Sequence, residues 1–159
     1  MTALVVVRAL AAEEVAAAGA RLPLHRLDHA NGFYLVAWDG AEPIGHAHLA
    51  LADPAELQDV FVVQARRRRG VAAKLTRAAE AEIARRGHRR LRLTVSVGNE
   101  PAQRLYPRVG YVDAGLPPKR VRGTIRLRGE PLDVDDTLLT LEKRLRPTVD
   151  FRGERASSS

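Results

Sequence analysis

The stretch Val60-Phe61-Val62-Val63-Gln64-Ala65-Arg66-Arg67-Arg68-Arg69-Gly70-Val71-Ala72 carries an apolar, strand-like run into a basic turn with one glycine, and a helical pattern opens directly after it. A strand that ends in such a turn makes a cradle for an anion. The first N–H groups of a helix have no intrahelical partners and sit at the positive end of its dipole, so a phosphate is stabilised there. Arg66 to Arg69 add charge and forked donors beside that point.

Downstream, Val71, Leu75, Ala78 or Ala79 and Ile83 recur at helical spacing between Gly70 and Arg86, with Lys74, Arg77, Glu80, Arg85 and Arg86 largely opposite. Gly87 is a natural stop. Leu91 to Val97 alternates as a strand, and Asn99-Glu100-Pro101 reads as a helix entry with Asn99 as N-cap, followed by a short helix from Ala102 to Val109 and a stop at Gly110. Further strands are expected at Tyr111-Val112, Thr124 to Leu127 and Thr137 to Leu141, around Gly129-Glu130-Pro131.

Upstream, Glu56 to Val63 alternates Leu57, Asp59 and Phe61 with Glu56, Gln58, Val60 and Val62, which points Glu56 and Asp59 to opposite faces, so that at most one of them can serve directly. Ile44 to Leu51 and Phe33 to Trp38 read as a hairpin about Asp39-Gly40. Leu4 to Arg8 is a first strand and Ala11 to Ala20 a helix; the segment Leu24 to Gly32 fits neither period. The order of elements indicates a mixed α/β (α+β) sheet, mostly antiparallel, with helices covering it.

The chain has 159 residues, enough for a single core without metal or disulfide support, and residues 1–146 are expected to form one domain. Residues 147–159 are polar and end in serines, and are expected to be disordered. The absence of cysteine removes thiol catalysis and thiolate metal sites. Neither an N-terminal basic-apolar leader nor an apolar run of membrane-spanning length is legible, so a soluble, cytoplasmic protein is expected. With 26 Lys and Arg against 19 Asp and Glu, the net charge is +7, which favours an anionic partner without naming it. Aromatic residues are only 4% of the chain, little material for base-stacking platforms, so nucleic acid is the weaker choice.

Two motifs narrow the anion. Arg67-x-x-Gly70-x-Ala72, between a strand and a helix, resembles the phosphate-loop signature of the GNAT family of N-acetyltransferases. Asn99-Glu100-Pro101-Ala102-Gln103-Arg104-Leu105-Tyr106-Pro107-Arg108-Val109-Gly110-Tyr111 resembles that family's second motif, in the expected order and separated by the expected helix and strand. The resemblance implies a central sheet of about six to seven strands, splayed between its two central strands. It implies acetyl-CoA as the donor substrate and an amine as acceptor, with no metal. Phe61 and Val62 would contact the acetyl-pantetheine arm through the backbone, Arg67, Arg68, Arg69, Gly70, Val71 and Ala72 would hold the pyrophosphate, and Asn99 would contact the cofactor arm.

The same resemblance gives Tyr106 the role of proton donor to the departing thiolate, and a phenol's ordinary value near ~10 keeps it protonated at neutral pH. The alternative is a buried tyrosine satisfying one hydrogen bond. An acidic residue on the strand before the turn is the expected proton acceptor, with Glu56 favoured over Asp59 and water also open; a solvated strand end and a structural cap are the alternatives for the two. Pro107, directly after Tyr106, removes an N–H donor and is expected to shorten or bend the helix there. His46 and His48 share a strand face with no third ligand at a recognisable spacing, which favours a surface or acceptor-pocket role over a metal. Asp133, Asp135 and Asp136 read as a solvated turn that could also attract a cation. The acceptor stays open, with a small molecule favoured; a homodimer, a noncatalytic acyl-CoA-binding protein and a basic nucleic-acid-binding module also stay open.

Overall fold

The computed structural model describes residues 4–127 and 130–146. Gly129 and the polar tail at 147–159 lie outside the described residues. The strands are β1 (Val5–Ala9), β2 (Gly32–Asp39), β3 (Glu42–Ala50), β4 (Ala55–Val62), β5 (Arg90–Ser96), β6 (Val112–Asp113), β7 (Lys119–Leu127) and β8 (Glu130–Arg144). The helices are α1 (Val15–Gly19), α2 (Val71–Arg85) and α3 (Glu100–Arg108), with short 3-10 turns at Ala12–Glu14 and Gln64–Arg66. All the strands join one sheet in the order β1-β2-β3-β4-β5-β8-β6, with β7 also on β8.

Every pairing is antiparallel except β4 with β5. That parallel pair is short: Ala55 faces Leu91, Glu56 faces Arg92 and Leu57 faces Leu93, and no register continues beyond them. From Gln58 to Val62 the β4 edge toward β5 therefore has no strand partner. The sheet opens into a V at this point. Backbone groups on such an edge are available to a ligand rather than to a ladder.

The core explains why the V is held open. Val71, Leu75, Ala79 and Ile83 recur on one side of α2 and pack with Ala47, Leu57, Val62, Leu91, Leu93 and Val95 from the sheet. Tyr106 and Tyr111 belong to the same cluster, so the helix after β5 is fastened to α2. The Tyr111 hydroxyl donates to Glu80 on α2 at 2.9 Å, and Lys143 on β8 donates to the same carboxylate at 2.9 Å. The other face carries a smaller cluster, where Ala18 and Leu22 meet Val36 and Trp38 with Phe61 and Val63 alongside.

Two elements depart from the expected pattern. The eight strands exceed the six to seven expected, because β6 is only a two-residue strand and the Pro117-Pro118 pair separates it from β7. Asp133, Asp135 and Asp136 lie in strand β8 rather than in a turn. Asp135 pairs with Arg120 across the β7–β8 ladder at 3.2 Å, and Asp136 accepts from Ser96 at 2.8 Å, so the acidic residues neutralise a basic neighbour strand and fasten β5.

Candidate active site

β4 decides how the acidic residues are presented. His46 pairs with Phe61 and His48 with Gln58, so β4 spends one more residue than β3 over this stretch and bulges there. Asp59 takes up the bulge in the left-handed region, with φ 53°. Only Gly, Asn and Asp visit that region readily among common residues, which fits an aspartate at this position. The consequence corrects the expected alternation: Glu56, Gln58, Asp59 and Phe61 turn to one face, while Leu57, Val60 and Val62 pack into the α2 core. Glu56 and Asp59 are thus on the same side of the sheet.

Both line one cleft of about 180 Å³ in the mouth of the V. Its other walls are Arg26, Gln58 and Val60, the β5 residues Leu93 to Ser96, and Asn99, Ala102 and Tyr106 from the entry and first turns of α3. The structure therefore brings Glu56, Asp59, Asn99 and Tyr106 together.

Within the cleft the two carboxylates differ in their partners. Asp59 Oδ2 accepts from the Tyr34 hydroxyl at 2.8 Å, and its other oxygen lies 3.4 Å from His25 Nε2. His46 Nδ1 is 3.8 Å from Asp59 Oδ2. Burial and the Asp59 carboxylate push the Tyr34 phenol far above its ordinary value, so it stays a donor. Glu56 has a looser environment. Arg92 is its register partner on β5, yet that guanidinium is taken by Glu142 at 2.8 Å, and among the described residues Glu56 accepts only from Gln58, at 3.5 Å.

Tyr106 is 6% exposed, packed edge-on against Tyr111 at 5.6 Å and open to the cleft. Burial raises its phenol above the ordinary value, with the Thr76 hydroxyl offsetting part of the shift. Pro107 sits inside α3, one residue before its last, and the helix still runs from Glu100 to Arg108. Asn99 is the N-cap: its side chain accepts from Ala102 N–H at 3.1 Å.

β4 leads from the cleft into the basic turn. Arg68 and Gly70 have φ of 65° and 81°, and the chain reverses through them into α2. The first intrahelical bond is Lys74 N–H to Gly70 O at 3.0 Å, which leaves the N–H groups of Val71, Ala72 and Ala73 without helical partners. A Cβ built on Gly70 meets nothing within 4 Å, so the space in front of the helix end is open. Arg67 Nε donates to the Val62 carbonyl at 2.8 Å, which straps the turn to the end of β4. Arg66 is committed elsewhere, to Asp39 at 2.5 Å and Glu42 at 3.2 Å in the β2–β3 hairpin. Among the described residues Arg68 and Arg69 form no salt bridge, and both are exposed. These features fit a pyrophosphate: free backbone donors, a side-chain-free approach and uncommitted cations.

Phe61 and Val62 follow the bulge on the open edge of β4. The Phe61 ring stacks on His46 at 5.5 Å and the Val62 side chain is buried in the core, so a ligand on this edge would meet backbone, with the Val62 carbonyl already accepting from Arg67. His46 and His48 are buried, 0% and 1% exposed, and both rings meet Tyr34 edge-on. Among the described residues no group of three His, Asp or Glu is arranged to hold a metal. The same holds for membrane-crossing helices, none being long and apolar enough.

The sequence gives no sign of Tyr34, His25 or Arg26 as site residues. Tyr34 sits in the apolar run Phe33 to Trp38, where it reads as core, and His25 and Arg26 fall in the segment with no periodicity. The one available signal is chemical: a tyrosine in an apolar strand needs a partner for its hydroxyl.

Comparison with known proteins agrees with this geometry. Residues 7–111 match the model of the acetyltransferase (GNAT) family. Among solved structures, an IAA acetyltransferase from Bacillus cereus ATCC 14579 superposes with a TM-score of 0.68 at 19% identity, covering 89% of this chain and 100% of that one. A GNAT family acetyltransferase from Elizabethkingia anophelis with acetyl-CoA bound gives 0.67 at 14% identity, over 89% and 98%. The ribosomal-protein-S18-alanine N-acetyltransferase from Escherichia coli gives 0.68 at 15% identity, over 98% of both chains. A comparison with curated protein sequences finds no match. The match over residues 7–111, together with the splayed strands and the loop that follows them, shows that the chain belongs to the acetyltransferase (GNAT) family.

Proposed function

We propose that the protein transfers the acetyl group of acetyl-CoA to the primary amine of a small acceptor, by direct attack in a ternary complex. The observation that carries this reading is the single cleft at the β4/β5 opening, which gathers Glu56, Asp59, Asn99 and Tyr106 directly ahead of the anion-binding turn. Acetyl-CoA in the Elizabethkingia anophelis relative supports the choice of donor.

Each residue type has a task. The turn from Arg67 to Ala72 holds the pyrophosphate on backbone N–H groups, with Arg68 and Arg69 adding charge. The unpaired edge of β4 at Phe61 and Val62 aligns the pantetheine arm as a further strand would be aligned, and Asn99 flanks it from the far side of the V.

An amine must lose its proton before it can attack a thioester. Glu56, which forms no salt bridge among the described residues, accepts that proton directly or through water, while Asp59, fixed by Tyr34 and His25, attracts the ammonium into the cleft. The nitrogen then bonds to the acetyl carbon, the carbon–sulfur bond breaks, Tyr106 gives its proton to the departing sulfur, and the second proton of the nitrogen returns to the Tyr106 oxygen directly or through water. Burial suits Tyr106 to this step, because a phenol held above its ordinary value is protonated at neutral pH.

The test is thiol release from acetyl-CoA with a panel of small amines. Tyr106→Phe should lower kcat far more than acetyl-CoA affinity. Unchanged turnover in that variant removes Tyr106 from the chemistry, and no release with any amine overturns the proposed activity.

A further inference from the structure

Among the described residues Arg26 is the one cation in the wall of a cleft that also presents Glu56 and Asp59. It forms no salt bridge among the described residues, and its Nε is buried without a hydrogen-bond partner. A buried guanidinium nitrogen with no acceptor is costly unless a ligand supplies one. The guanidinium charge acts on the Tyr34 phenol and the His48 imidazole, the two groups hydrogen-bonded to Asp59 and Gln58 of the cleft wall.

Resting on the acetyl-transfer reading above, we propose that the acceptor is a free α-amino acid, its carboxylate held by Arg26 and its nitrogen by Asp59 and Glu56. The charges argue for a zwitterion. A polyamine would set a second cation against Arg26, and a plain carboxylic acid would meet Glu56 and Asp59. An α-amino acid carries both signs one carbon apart, and an arginine fork matches a carboxylate with two parallel hydrogen bonds.

The base of the Arg26 side chain is held next to Asp59. The backbone N–H of Arg26 donates to the Tyr34 hydroxyl at 3.0 Å, and the same hydroxyl donates to Asp59 at 2.8 Å. One oxygen thus ties the segment that carries Arg26 to Asp59. In the reaction the α-nitrogen loses a proton to Glu56 or water and bonds to the acetyl carbon. The carbon–sulfur bond breaks, the sulfur leaves with the Tyr106 proton, and the second proton of the nitrogen restores Tyr106, giving an N-acetyl amino acid and free CoA.

The experiment measures thiol release from acetyl-CoA with natural α-amino acids. For the best of them it adds the matching carboxamide and the amine that lacks the carboxylate. Wild-type protein should prefer the free acid over both by at least about tenfold in kcat/KM, because a group built to bind the carboxylate is left unpaired by its analogues. Arg26→Gln should bring the free acid and its carboxamide close to parity, and Arg26→Lys should keep part of the preference. Acetyl-CoA calorimetry on both variants checks that each is folded, and Arg26→Lys carries the comparison if Arg26→Gln fails that check. Equal rates for acid and carboxamide in wild-type protein, or a preference untouched in the Arg26 variants, overturn this inference and leave acetyl transfer standing. An absence of thiol release with every amine, the carboxylate-free ones included, overturns the proposed function and this inference with it.

Discussion

The Tyr34 hydroxyl donates to Asp59 Oδ2 at 2.8 Å, joining a strand in the first half of the sheet to the bulge at the centre of the cleft. Hydrogen bonds to charged groups contribute about 1.5–3 kcal/mol. Tyr34→Phe should therefore destabilise the protein by roughly that amount in urea unfolding. It should also release Asp59 and Arg26 together, lowering amine turnover while acetyl-CoA affinity holds. Wild-type turnover in Tyr34→Phe would show that the linkage is structural only.

Glu56 and Asp59 share a cleft but not their partners, and the difference separates their roles. Glu56→Gln should depress kcat by at least about tenfold, with the loss diminishing as pH rises and more of the free amine is present. Asp59→Asn should chiefly raise the KM of the amine. The reverse pattern in steady-state kinetics would exchange the two assignments.

Gly70 has φ 81° at the start of α2, a conformation that costs a side chain about 1 kcal/mol. Gly70→Ala should lower stability by about that much and weaken acetyl-CoA binding modestly. Gly70→Glu should abolish binding, because its carboxylate would occupy the open space before the free N–H groups and repel phosphate. Retained affinity in calorimetry would remove the turn as the pyrophosphate site.

His48 is held below its ordinary value, first by burial and then by the charges of Arg26 and His29, against opposing contributions from Gln58 and Asp59. The folded state therefore binds fewer protons than the unfolded state below pH ~6.5, so stability falls as pH drops from there toward the lowered value. Thermal unfolding from pH 7.5 to 5 should record that loss, and His48→Gln should reduce its slope. An unchanged slope would mean that the histidine does not carry the acid sensitivity.

What the sequence disclosed was local in origin. Gly70 needs a positive φ and Asn99 caps a helix within three residues of itself, so both are legible from neighbours alone. The same is true of α2, whose apolar positions repeat within one element. The arrangement of Glu56 and Asp59 was not legible, because a one-residue bulge in β4 inverts every face assignment beyond it without any break in the sequence pattern. β7 begins at Lys119 rather than Thr124 because Arg120 and Arg122 meet Asp135 across the ladder, a pairing visible only once the strands are adjacent. Arg26 and Tyr34 became site residues through contacts with a strand some 25 residues away or more.

The central claim is acetyl transfer in the β4/β5 opening, and the most direct measurement is thiol release coupled to mass spectrometry of the amine. With a suitable amino acid, wild-type protein should release thiol in step with one acetyl group gained by the acceptor, and Gly70→Glu should do neither. Acetyl-CoA left intact in the presence of the whole amine panel, or equal transfer by Gly70→Glu, would contradict the account.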